Sequence, residues 1–110
     1  MKEECVNSRT SAYLVQWTVG QEEGRAADVA GACELSVQFS GDFDGATLSL
    51  EGSNDGKEWA VLSDKGGLSV STRRRAIFSV GQSVRFVRPQ AENPGKNTRV
   101  LCTFLYKANR

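Results

Sequence analysis

Residues 45–59, GATLSLEGSNDGKEW, constrain the fold of this chain more than any other stretch. Ala46, Leu48 and Leu50 alternate with Thr47, Ser49 and Glu51. That period of two is the mark of a half-buried strand, because successive side chains on a strand point to opposite faces. Gly52, Ser53, Asn54, Asp55 and Gly56 follow, all turn-forming residues, and the two glycines reach backbone angles that a Cβ makes costly. A second short run then places Trp59 and Val61 on one face and Ala60 and Leu62 on the other. The stretch therefore predicts a β-hairpin with a Gly/Asn/Asp-rich connection.

The same alternation recurs along the chain. Tyr13, Val15, Trp17 and Val19 alternate with Leu14, Gln16 and Thr18. Cys33, Leu35, Val37 and Phe39 form an inward row opposite Glu34, Ser36 and Gln38. Further short strands are expected over residues 68–72, 76–80 and 84–88, with Pro89 ending the last of these. A final strand over residues 99–107 sets Val100, Cys102, Phe104 and Tyr106 against Leu101, Thr103 and Leu105. No stretch carries a helical period, although residues 21–30 have room for one short turn. Eleven glycines and two prolines suit many tight turns. The expectation is an all-β, antiparallel sandwich of jelly-roll type with seven to eight strands. Residues 1–10 read as a polar arm and residues 11–110 as one domain, of ordinary size for a domain.

Two strands, Tyr13–Val15 and Leu101–Leu105, are apolar on both faces. Such strands are either central in a sandwich or covered by another subunit.

Composition narrows the chemistry. The 110 residues contain no histidine, which removes the commonest general base and metal ligand and every triad built on imidazole. A net charge of +1 gives no general argument for nucleic acid or membrane binding, and no apolar run approaches the ~20 residues of a membrane span. The first ten residues lack an apolar signal core, so the chain is expected to stay where it is made or to leave by assembly or lysis. Cys5, Cys33 and Cys102 are odd in number, which points to reduced thiols, with Cys33 and Cys102 as small core residues. A Cys33–Cys102 disulfide is compatible with neighbouring strands but not implied. The cysteine spacings of 28 and 69 match no zinc pattern.

Asp42 and Asp44, with Asp55, contain oxygen ligands that calcium would use, yet acidic residues in turns are commonplace and a calcium ion needs about six to eight ligands. Glu51 and Glu58 lack the context that would set their acidities apart, as a glycosidase pair requires. No catalytic, cofactor or metal residues are therefore assigned. Arg73, Arg74 and Arg75 are the strongest charge cluster. They are either a solvated loop or a contact for an acidic protein patch or phosphate, to which the guanidinium fork is suited. Trp59 is either a core residue or a sugar-stacking platform at the hairpin edge.

Two resemblances rest on these residues. The stretch from Phe39 to Trp59, FSGDFDGATLSLEGSNDGKEW, together with Phe86-Val-Arg-Pro89, resembles small virion structural proteins of tailed bacteriophages over roughly Cys33 to Tyr106. This resemblance implies a non-enzymatic virion component, foremost a head decoration (cement) protein. Such a protein binds the major capsid protein on the capsid exterior, is made in the bacterial host cytoplasm, and uses no cofactor, nucleic acid or membrane. It permits a homo-oligomer, a trimer among them, and a tail or baseplate position as the alternative. Arg73, Arg74 and Arg75 are the expected partner contacts. More narrowly, SNDGKEW over Ser53–Trp59 is similar to the hairpin of discoidin-type domains, jelly-rolls that bind glycans or lipids. That likeness implies a glycan site at Ser53, Asn54, Asp55 and Trp59. Discoidin-type domains are longer and have a disulfide bracketing their termini, a pattern this chain does not match.

Overall fold

A computed structural model of the chain describes residues 10–20, 25–30 and 32–109. Among them it is all-β, with nine strands: β1 (Thr10–Val19), β2 (Ala27–Asp28), β3 (Ala32–Asp42), β4 (Thr47–Ser53), β5 (Ala60–Val61), β6 (Ser71–Thr72), β7 (Ala76–Ser79), β8 (Phe86–Glu92) and β9 (Arg99–Asn109). Two antiparallel sheets pack face to face. The first has the order β1-β9-β3-β7, the second β2-β8-β4-β5, with β6 also on β4. Setting β6 aside, this is the interleaved eight-strand order of a jelly roll, in which the chain crosses repeatedly between sheets. The polar arm falls on residues outside the described ones, except Thr10, which already belongs to β1 and pairs with Asn109.

The inward rows read from the alternation meet between the sheets. Leu35, Val37, Phe39, Val100, Cys102 and Phe104 come from the first sheet. Ala46, Leu48, Leu50, Leu62, Val70 and Val87 come from the second sheet and its connections. Phe39, Phe104, Leu48 and Leu50 are wholly excluded from water. Burial of such side chains contributes about 1.5–3 kcal/mol each, so these two rows are the main source of cohesion.

β4 is the centre of the second sheet. Its β8 side is paired from Thr47↔Glu92 to Ser53↔Phe86. Its other side is shared by β5 and β6, and the Leu50 amide and carbonyl bridge the two pieces, the amide donating to Val70 O (3.1 Å) and the carbonyl accepting from Leu62 N (2.9 Å). The hairpin packs tightly at Gly52, where an added Cβ would lie 2.6 Å from Leu62 Cδ2 and 3.0 Å from Val84 Cγ2. Only glycine lets Leu62 sit on the strand there.

One expectation needs correction, and three alternatives left open are narrowed. Pro89 does not end a strand. β8 continues to Glu92, with Pro89 buried opposite Leu50. Because Leu50 directs its backbone groups toward Val70 and Leu62, the Leu50–Pro89 pair has no hydrogen bond between its members, and β2 reaches only Phe86 and Val87 on the other side. The missing N–H therefore breaks no ladder. Residues 21–30 give no helical turn among those described; Ala27–Asp28 instead form β2 on the edge of β8. Trp59 lies outside the core, half-buried under the Arg88 guanidinium. Finally, β3 and β9 pair with Phe39 opposite Cys102, so Cys33 lies six residues away along β3, about 20 Å by strand rise. A disulfide needs its Cα atoms within about 7 Å, so Cys33 and Cys102 do not bond to each other. Cys33 sits at a bulge between Ala32 and Glu34. Its side chain and the whole of Cys5 lie outside the described residues.

Candidate functional site

The exposed face of the first sheet stands apart from the rest of the surface. Register sets its rows: Leu14, Leu105, Ser36 and Ser79; then Gln16, Thr103, Gln38 and Ile77; then Thr18, Leu101 and Ser40. No residue in these rows carries a charge. Leu14 is 61% exposed, Ile77 70%, Leu105 41% and Leu101 38%. Within the four strands ion-forming residues stand only at the ends, Glu34 paired with Lys107 (3.7 Å) at one and Asp42 opposite Arg99 at the other, while Lys65 from the loop after β5 borders Ser36, Ser79 and Leu105. The doubly apolar strands are thus half explained. β9 is central in its sheet, yet the outer leucines of β9 and β1 are exposed, with no described element over them. The eleven residues of these rows, each covering one strand spacing of about 4.8 Å by two rises of about 3.3 Å, make a footprint of about 350 Å². An uncharged, partly apolar area of that order makes this face the candidate contact surface.

Arg73, Arg74 and Arg75 occupy the exposed loop between β6 and β7. The Thr72 hydroxyl folds the loop: Oγ1 donates to Arg74 O (2.7 Å) and accepts from Arg74 N (3.2 Å). With Gly41 and Phe43 the three arginines border an open hollow of about 590 Å³. Among the described residues no carboxylate lies within ion-pair distance of them. The cluster is free to meet an external anion but holds no geometry that selects one.

The acidic residues are structural. Asp42 Oδ1 accepts from Asp44 N (3.1 Å), and Asp44, at φ 42°, accepts through Oδ2 from Asn97 N (2.8 Å). Thr98 ties the same corner by donating to Phe43 O (2.9 Å) while accepting from Gly95 N (2.7 Å). Asp55 belongs to the other end of β4, about 20 Å away by strand rise, so the three aspartates do not converge. No cluster of three or more candidate ligands exists among the described residues.

The residues of the glycan expectation do come together. Ser53, Asn54, Asp55, Glu58 and Trp59 line one open hollow of about 530 Å³. Their polar atoms, however, build the turn. Ser53 Oγ donates to Asp55 Oδ1 (3.0 Å) and accepts from Gly56 N (2.8 Å). Asp55 Oδ1 also accepts from Lys57 N (2.8 Å) and Glu58 N (3.0 Å). These amides hold the Asp55 carboxyl below its ordinary value of 3.8, the Glu58 amide contributing most. Asn54 Oδ1 accepts from Arg85 N (3.2 Å). Arg88 stacks on Trp59 at 4.1 Å from the ring centroid and pairs with Glu51 (2.9 Å). Glu51 is thereby neutralised on the sheet face, apart from Glu58 in the turn. The one described thiol, Cys102, is buried, and burial pushes it up to about 12, far from a reactive thiolate.

Sequence reading found the outward leucines but not their environment. Their parity was visible; that no described element covers them is a matter of sheet order.

No family model matches the chain, and no curated protein matches it either. A solved structure does: the crystal structure of the SPBc2 prophage-derived protein YomS, with a TM-score of 0.65 and 15% sequence identity, over 89% of this chain and 96% of that one. At that identity the likeness shows a shared fold, and it runs across nearly the whole of both chains.

Proposed function

We propose that this protein is a non-enzymatic structural component of a bacteriophage virion, and that it decorates the head, bound to the major capsid protein on the capsid exterior. The observation that carries the reading is the jelly-roll fold held in common, almost end to end, with a prophage-derived protein. The uncharged face of the first sheet is the docking face. At about 350 Å² it falls below the roughly 800 Å² per partner of a stable complex, so one copy binds weakly. Many copies on a repeating lattice add up, and a ligand that recognises only the assembled shell stabilises that shell. Arg73, Arg74 and Arg75 supply a second, electrostatic contact to an acidic capsid patch.

Binding of the purified protein to expanded capsids of the phage that encodes it tests this reading. Capsids should gain heat resistance, and free coat subunits should bind poorly. Leu101→Ser/Leu105→Ser should abolish attachment. Replacing all three arginines by alanine should weaken it, as should added salt. Binding to tail structures alone would move the protein to a tail or baseplate position. Recognition of one glycan, lost in Trp59→Ala, with no capsid binding, would replace the virion reading by a glycan-binding module of discoidin type.

A further inference from the structure

We propose that the outer edge of β1 is a self-association surface, on which a second copy of this chain pairs its own β1 antiparallel about a two-fold axis. Two four-stranded sheets then become one sheet of eight. β1 is outermost in its sheet. It pairs with β9 along all ten residues and with no other strand among those described. Alternate residues of an edge strand direct backbone N–H and C=O groups outward, and proteins blunt such edges with charges, proline, bulges or brevity. β1 has none of these, and among the described residues no backbone bond reaches it from outside β9. Its sequence, TSAYLVQWTV, contains no charge and no proline, and its register runs unbroken from Thr10↔Asn109 to Val19↔Val100. The remaining edges are short: β7 has four residues, and β2, β5 and β6 have two each.

Two observations select a copy of the same chain as the occupant. A strand pairing with itself meets every one of its own residues, so any charge near its centre would face a like charge. An uncharged strand passes that condition along its whole length. The pleat must also match, inward residues opposite inward ones. With Leu14 opposite Leu14 of the second copy, Tyr13 lies opposite Val15 and both face inward, over nine residues of each strand. On that inner side Tyr13, Val15 and Trp17 are only half-buried, because the facing sheet ends in the two-residue β2. A second copy continues the sheet past them. Leu14, 61% exposed, gains its own mate as a neighbour.

The inference does not rest on the virion reading. Sedimentation equilibrium of the wild-type protein should give a dimer mass. Leu14→Lys puts two ammonium groups opposite each other and should yield a monomer with an unchanged β-type circular dichroism spectrum, since the position is exposed. Leu105→Lys, beside Leu14 on β9 and on the same face, should remain a dimer. A monomeric or trimeric wild type, a dimer that survives Leu14→Lys, or loss of the dimer in both variants (the mark of face-to-face stacking) would each overturn the proposal. A dimer that ignores capsids supports this inference and defeats the virion reading; a capsid-binding monomer does the reverse.

Discussion

The outer faces of the two sheets differ in kind. The second sheet carries paired charges: Glu51, Arg88 and Trp59 form an ion pair and a stacked cation on its surface, Val61, 44% exposed, stands opposite Glu51, and Ser53 and Asp55 close the turn beside it. The first sheet carries leucines, an isoleucine, serines, threonines and glutamines, with its charges confined to the two ends. Both faces lie on a common core, so the difference is not one of folding need.

That contrast can be broken first at the core, which both sheets share. Phe104→Ala from the first sheet and Leu50→Ala from the second should each destabilise by about 2–5 kcal/mol in denaturant unfolding. A loss near zero at either would mean that its sheet does not pack as described. Next in size is Gly52→Ala, which drives a methyl group into Leu62 and Val84 and should cost about 1–3 kcal/mol through overpacking.

Arg88→Ala sharpens the comparison on the charged face. It removes a cation from the Trp59 ring and a partner from Glu51, and should cost about 1–2 kcal/mol, with a shift in tryptophan fluorescence. On the uncharged face, Leu101→Ser/Leu105→Ser should leave the unfolding midpoint within about 0.5 kcal/mol of wild type, as exposed substitutions do. A large loss there would mean that those leucines serve the fold.

The smallest effect concerns Asp55. Its carboxyl titrates lower in the folded than in the unfolded chain, so the ionised form stabilises the turn above the ordinary value of 3.8 and that contribution is lost as pH falls through the lower, folded value. Acid unfolding curves of wild type and Asp55→Ala should converge at the acid end and separate above it.

The sequence by itself determined the alternation. Leu48, Leu50, Val37, Phe39, Val100 and Phe104 were legible as inward residues because a strand's side-chain period is two, a local property of the backbone. From it followed the class and the position of the hairpin, while the lack of histidine removed imidazole chemistry. Which strand lies beside which was decided only by the tertiary structure. Pro89 stays within a strand because its neighbours make no demand on its nitrogen. Trp59 leaves the core because Leu62 takes the place against Gly52. Cys33 and Cys102 are separated by register, and Leu14, Leu101 and Leu105 stay open to water because no element of the described chain crosses that face. All of these depend on pairing between residues far apart in sequence, where the period of a single strand carries no information.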